Sequence, residues 1–396
     1  METLIELFDD RAIENVLGPE TFLPKRIIYL CPEEIMRDKS VHQIYERFFE
    51  KRGVSVEIEF IKSHVYKADK ILRQLEYIYD NYPDCVLDVT GGNDAMLFAA
   101  GMFCNQTGVP AFTYSRKRNQ FYEISNAPFA DEKPCELRYS VEDFFLMTGG
   151  TLRTGRVDNR ILEKYMDKFE PFFRVFLKHR KHWVDNVTFF TRISQSHRDE
   201  AVRLSVAGSL EQKGEHGRRV HGDVSLLRDL EKIGFLFQLE ITNDGCVSFL
   251  FRDEQVRMWL RDIGSVLELY MYKMCMDTGI FHDVVSSAIV DWDGSRGHDS
   301  VSNEIDVVAT RGVIPLFISC KACDIKTEAL NELAVLRDRF GGKGAKAAIV
   351  TTEFCNAAAR HRAAQLGIAV IDLEELTGET VEERLKVIMK YRKTVE

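Results

Sequence analysis

The sequence predicts an α/β protein in three parts, and three observations predict it. Between residues 25 and 126, short apolar β-branched runs alternate with amphipathic stretches of helical length. From 156 to 255 that rhythm gives way to an aromatic-rich helical stretch, polar loops and a hairpin signal at Asn243-Asp244-Gly245. From about 256 the order becomes helix, three strands, helix, strand, helix, strand. The expected boundaries are therefore 1–150, 151–255 and 256–396.

In the first part KRIIYLC reads as a strand followed by a helix near 40–52, and VSVEIEFI as a strand followed by a helix over 67–80. DCVLDVT is a third strand with a helix over 93–107, and VPAFTYS a fourth. Such strands, separated by helices, argue for a parallel, Rossmann-like sheet. Hairpin-like pieces follow over 110–145, and MTGGTLRTG marks a glycine-rich boundary. In the second part ILEKYMDKFEPFFRVFLKHRKHW predicts a helix, and LLRDLEKIGF leads into the two strands of LFQLEITNDGCVSFLF. A helix followed by a hairpin resembles a winged-helix unit, which serves as a DNA binder, a connector or a dimer surface. The third part reads as the helix MWLRDIGSVLELYMYKMCM, strands VVSSAIVDW, EIDVVATR and VIPLFISCK, helix ALNELAVLRDRF, strand AKAAIVTT, helix NAAARHRAAQLG and strand IAVIDL. No repeat period appears, which excludes a solenoid.

With 396 residues, 45% hydrophobic and 29% charged, the composition is that of a soluble globular protein. No apolar run reaches the length of a membrane span, and METLIELFDD lacks the features of a signal peptide. Nine cysteines without a framework suit reduced thiols in a cytoplasm. The net charge of −9 is uneven: residues 151–230 hold 16 Lys and Arg against 11 Asp and Glu. His179, His182, His197, His216 and His221 also lie there. This segment reads either as a backbone-phosphate surface or as solvated helix faces.

Asn303 to Lys321 carries the densest chemical signal. Asp306 stands on one strand, Lys321 ends the next, and the turn at Arg311-Gly312 joins them. An acid and a lysine on hairpin neighbours can meet on one face and hold a cation and a phosphate together. With Glu268 on the preceding helix, this order resembles the PD-(D/E)xK nuclease superfamily, whose core is αβββαβ. The resemblance implies catalytic roles for Glu268, Asp306 and Lys321, and Mg²⁺ or Mn²⁺ bound by hard carboxylate oxygens. The sequence departs from the pattern at Ser319, where the family has Asp or Glu. Strand periodicity puts Ser319 on the Lys321 face and Cys320 opposite. The displaced acid, expected to ligate the metal with Glu268 and Asp306, is sought first at Glu332, then at Glu328 or Glu304.

A second constellation, Asp88-Val-Thr-Gly-Gly-Asn-Asp, ends a strand and opens the helix AMLFAAGMF. Two glycines permit close backbone approach, and free N–H groups at a helix start attract phosphate. The plain alternative is a glycine turn with Asn93 or Asp94 as helix cap. This loop, with Cys31-Pro32-Glu33 and the FTYSRKR strand end, resembles a CARF domain, which senses cyclic oligoadenylates in type III CRISPR immunity. The resemblance implies that Thr90, Gly91, Gly92, Asn93, Pro32 and Arg116 contact the ligand, with Lys117 as a further rim charge. The order of CARF domain, winged-helix-like linker and nuclease covers essentially the whole chain. It implies a cytoplasmic homodimer whose cyclic oligoadenylate partner, cyclic tetra-adenylate by symmetry, activates cleavage of RNA or DNA. Two alternatives stand: a nucleotide-sensing transcription regulator with an inert nuclease fold, and an ungated repair or restriction-type nuclease.

Three motifs are set aside. Cys320-Lys-Ala-Cys323 lacks a second pair of zinc ligands, Gly341–Lys346 reads as a helix-to-strand turn, and Asp291-Trp292 as a strand end.

Overall fold

The computed structural model describes residues 1–154, 159–195, 204–214, 218–292, 302–378 and 380–390. His197 and His216 lie outside them. The N-terminal sheet contains β1 (Thr3–Leu7), β2 (Arg26–Cys31), β3 (Glu57–Lys62), β4 (Cys85–Asp88), β5 (Ala111–Ser115) and β6 (Gln120–Ser125), in the order β3-β2-β1-β4-β5-β6. All are parallel except β6, which returns antiparallel to β5. This is the expected Rossmann-like sheet with one addition, the central strand β1. TLIEL is short, carries Glu6 and runs into acidic residues, so it imitates a charged terminus. In the fold every one of its residues is buried, as a strand covered on both faces requires. Period-2 alternation divides it: Leu4 enters one core with Phe48, Phe112 and Phe121, while Ile5 and Leu7 enter the other with Ile71, Leu75 and Phe103.

β7 (Thr151–Thr154) lies in the range expected for the linker, but it pairs with the C-terminal sheet. The middle part holds the helices Met166–His179, Trp183–Gln195 and Val224–Lys232. Its strands are β8 (Ser205–Ser209), β9 (Glu211–Lys213), β10 (Arg219–His221), β11 (Leu236–Ile241) and β12 (Cys246–Phe251). β11 and β12 form the expected hairpin, closed with Gly245 at φ +80°, and β8 adds a third strand. Several of its basic residues pair with acids of the same part. His179 bridges Asp223 and Asp229 at 2.9 and 3.0 Å, Lys178 and Lys232 pair with Asp229, and Arg218 and Arg219 pair with Asp185 and Glu211.

The C-terminal sheet comprises β13 (Asp283–Asp291), β14 (Ser302–Arg311), β15 (Ile314–Lys321), β16 (Lys346–Thr351) and β17 (Ile368–Ile371), ordered β17-β16-β15-β14-β13-β7. The long helix expected over 258–276 is interrupted: Glu254–Trp259 and Ser265–Asp277 are separate helices, divided around Gly264. Ser265–Asp277 packs on one sheet face and Thr327–Gly341 on the other. The first is apolar nearly all round, the pattern of a helix buried between layers.

The two ends of the chain are packed together. Val313, in the β14–β15 turn, is buried in the N-terminal core, and Tyr139 donates its N–H to Gly312 O at 3.0 Å. Ile13 lies so close to Gly342, at the end of Thr327–Gly341, that a Cβ there would stand 2.9 Å from its Cγ2.

Candidate functional site

Asp306 owes its position to a break in strand alternation. Ser286 pairs with Val307 and Ala288 with Ile305. Yet Val307 enters the core under Ser265–Asp277, while Ile305 enters the core under Thr327–Gly341. Two residues apart on a regular strand they would share a face. The break falls at Ser287, whose φ of +51° is uncommon for a non-glycine residue, and at Asp306 opposite it. Asp306 is thereby reached from both sides of the sheet. On one side it lines a cavity of about 210 Å³ with Glu268, Glu304, Asp262, Gln255, Ser286 and Ser287. On the other it lines a smaller one, about 40 Å³, with Ser319, Lys321, Glu304 and Glu332.

Glu268 sits in the first turn of Ser265–Asp277, a helix held at its start by Asp262, which accepts from Ser265 N at 2.9 Å and Ser265 Oγ at 2.7 Å. Gly264 makes room for it: a Cβ there would lie 2.7 Å from Glu268 Oε1. Ser287 Oγ donates to Glu268 Oε2 at 3.5 Å. Asp306 Oδ2 accepts from Cys320 N at 2.5 Å and Ser319 Oγ at 3.4 Å, and Lys321 Nζ stands 4.0 Å away. Cys320 faces the opposite core as expected, and Cys323 is exposed, so the two do not form a chelating pair.

Burial, reinforced by the charges of Asp306, Asp262 and Glu304 and opposed by Lys321, pushes the Glu268 carboxyl up to about 8. Asp306 is also raised by burial, against the pull of Lys321. Crowded carboxylates in a low-dielectric site disfavour full ionisation, and a divalent cation relieves that repulsion. Among the described residues no three His, Cys, Asp or Glu side chains converge into a ready-made cage. What the site offers is a hard-oxygen set, Glu268 and Asp306 with Glu304 beside them. Such a set fits a small cation whose shell is completed by water and substrate phosphate. Of the candidate replacements for the acid at Ser319, Glu304 lines both cavities. Glu332 lines the smaller one and accepts from Asn303 Nδ2 at 3.2 Å; Glu328 lines neither. Asp291 ends β13 as expected, paired with Arg153.

The glycine loop helps to line a separate cavity of about 480 Å³ at the carboxyl ends of the parallel strands. That is where open α/β sheets take ligands. Pro32, Thr90, Gly91, Gly92 and Asn93 all line it. The sequence reading missed Phe8–Arg11 and Ser63–Tyr66, which complete it after β1 and β3. Arg116 does not line it: its guanidinium is turned inward and paired with Glu14. Lys117 is exposed and outside it.

The two glycines are needed by the fold before any ligand. A Cβ on Gly91 would lie 2.5 Å from Leu7 O, and one on Gly92, at φ +82°, would lie 2.9 Å from Leu7 Cβ. Gly91→Ala is therefore expected to lower the melting temperature by several degrees even without ligand, as a scanning thermal melt would show. Asn93 caps the helix Asp94–Thr107 by accepting from Met96 N at 3.1 Å, and it also holds Val65 O at 2.9 Å. Behind the loop, Asp88 accepts from Thr90 N at 2.7 Å, and burial raises its carboxyl to about 7. Its β1 neighbour Glu6 is raised further by burial and by Asp88.

Residues 253–390 match the family model described as Card1-like, endonuclease domain. No curated protein matches the sequence. Among solved structures, protein VC1899 from Vibrio cholerae superposes with a TM-score of 0.76 at 17% identity, covering 98% of each chain. Can2 from Sulfobacillus thermosulfidooxidans, in complex with cyclic tetra-adenylate, gives 0.69 at 19% identity, covering 98% of this chain and 100% of that one. The C-terminal part of the chain is thus similar to Card1-like endonuclease domains, within a whole-chain fold shared with VC1899 and Can2.

Proposed function

We propose that the protein is a metal-dependent endonuclease activated by a cyclic oligoadenylate, acting on RNA or DNA in type III CRISPR defence. The observation that carries this reading is Asp306 standing between a cavity lined by Glu268 and a smaller one lined by Lys321, in a chain with a further cavity at the ends of its parallel strands. Mg²⁺ or Mn²⁺ held by Glu268 and Asp306 would activate water and offset charge on the phosphate. Lys321 would orient the attacking water or stabilise the developing charge. Cyclic tetra-adenylate is the activator to test first, because Can2 binds it with the same fold.

A cytoplasmic homodimer fits the surface of the N-terminal part. Helix Asp94–Thr107, which opens from the glycine loop, leaves Leu97, Phe98 and Met102 substantially exposed, a face suited to a second copy. Ligand occupancy could reach the nuclease through the segment after β1. Phe8–Arg11 line the ligand cavity, and Ile13 bears on the helix that carries Glu332. Such gating requires the ligand to favour one arrangement over the other.

The test is incubation with RNA, single-stranded DNA and duplex DNA, with Mg²⁺ or Mn²⁺, and with cyclic oligoadenylates of different ring size. Cleavage that needs both metal and ligand supports the proposal. Cleavage without ligand favours an ungated nuclease, and ligand binding without cleavage of any substrate favours the regulator. For the replacement acid, Glu304→Gln is expected to raise the metal concentration for half-maximal activity roughly tenfold, about 1.4 kcal/mol. Glu332→Gln should have a smaller effect and Glu328→Gln none; a metal titration of the three variants checks this order.

A further inference from the structure

We infer that Gln255 contacts the scissile phosphate, as a hydrogen-bond donor in the nuclease cavity that none of the recognised motif residues supplies. The inference rests on the nuclease reading above. Gln255 lies in the short helix Glu254–Trp259, and its side chain lines the cavity shared by Glu268, Asp306 and Glu304. Its Nε2 makes no hydrogen bond among the described residues and is covered by its neighbours, so a turn of the amide on its partly exposed side chain is what brings the donor to a phosphate in the cavity. A buried amide N–H without a partner costs roughly 1–3 kcal/mol, so its retention needs an explanation.

The neighbourhood supplies one. The cavity carries four carboxyl groups, Asp262, Glu268, Glu304 and Asp306, with Asp262 already accepting from Ser265 and Glu268 from Ser287. A phosphodiester entering beside a cation brings anionic oxygens that need donors as well as metal. Lys321 lines the smaller cavity on the other side of Asp306. An amide on the Glu268 side would hold the phosphate from the opposite direction, as a neutral donor that adds no charge to repel the metal. A lysine or arginine at this position would pair with Glu268 and compete with the cation. Gln255 is held on the site's rim by its own helix, which Asp253 caps by accepting from Val256 N at 3.0 Å.

The test uses the full-length protein with whichever nucleic acid the wild type cleaves under saturating metal and activator. Gln255→Leu removes the amide and keeps the bulk; Gln255→Glu keeps the shape and turns the donor into an anion. Gln255→Leu is expected to keep the wild-type half-saturating metal concentration and to melt no lower than wild type, because the unpaired amide is gone; Gln255→Glu, which adds a carboxylate to the cavity, is compared at saturating metal. Gln255→Leu should lose roughly 10- to 100-fold in kcat with KM changed less than threefold, the scale of removing one donor to developing charge, and Gln255→Glu should lose at least as much. Unchanged kcat in Gln255→Leu overturns the inference while leaving the nuclease reading intact. So does a rate restored by excess metal, which would make the residue a metal ligand through its carbonyl oxygen. So does a parallel fall in melting temperature and activity in both variants, which would make it structural. A wild type that cleaves nothing overturns the nuclease reading and this inference with it.

Discussion

Lys321→Ala is expected to reduce cleavage by roughly 10³-fold, equivalent to about 4 kcal/mol of transition-state stabilisation. Circular dichroism and the melting temperature should stay close to wild type. The side chain is partly exposed at the end of β15, and its ion pair with Asp306 spans 4.0 Å, too loose a pair to anchor the fold. Its value lies in chemistry, as a fixed positive charge where the attacked phosphate gathers negative charge. Asp306→Asn should be as damaging for a different reason. It removes a proposed metal ligand, and it also disturbs the carboxylate that accepts from Cys320 N and Ser319 Oγ, so some stability should go with activity. Single-turnover rates beside thermal melts separate the two. Undiminished cleavage in both variants would place the active site elsewhere.

How far the sequence reveals this molecule depends on whether the signal is local. The αβββαβ order and the β14–β15 turn are legible because alternation and a glycine turn are short-range patterns. In the turn, Arg311 pairs with Ile314 across Gly312 and Val313, with Gly312 at φ +59°. The strand face of Ser319, Lys321 and Cys320 follows from period-2 geometry alone. β1 is hidden because burial overrides local appearance: Glu6 belongs to the centre of a sheet, but only its neighbour Asp88 explains how a carboxyl survives there. The alternation break at Ser287 and Asp306 is equally invisible, since nothing in SSAIVD or NEIDVV marks a backbone that changes face. Without it Glu304 would not be seen to reach both cavities. Gln255 is missed because a glutamine in the first turn of a short helix has no motif, and its significance lies in a donor left unpaired after folding. The glycine loop is legible as a place of close approach to a ligand, but what Gly91 and Gly92 lie against in the fold is Leu7 of the unrecognised strand.

Glu268→Gln should abolish metal-dependent cleavage and, in the metal-free protein, remove this site's loss of stability at alkaline pH. The Glu268 carboxyl titrates near 8 in the fold, against an ordinary value of 4.5. Between those two values the folded state holds a proton that the unfolded chain has released. Stability from this group is therefore fully present below about pH 4.5 and is lost as the pH rises through about 8. Each unit of separation corresponds to about 1.4 kcal/mol, so the loss amounts to several kcal/mol. Chelated wild-type protein should melt at a lower temperature at pH 9 than at pH 6, whereas Glu268→Gln, neutral throughout, should lack this part of the pH dependence and melt higher than wild type at pH 9. Metal reverses the comparison, because a cation bound by Glu268 and Asp306 favours the ionised form. Added Mn²⁺ should raise the wild-type melting temperature and leave Glu268→Gln nearly unmoved. Its affinity should climb with pH up to about 8, where the displaced proton no longer competes. Differential scanning calorimetry of both proteins at the two pH values, with chelator and with Mn²⁺, measures all of this. Equal pH slopes in wild type and variant would mean that Glu268 is ionised in the metal-free fold, and equal Mn²⁺ responses would mean that it does not ligate the metal.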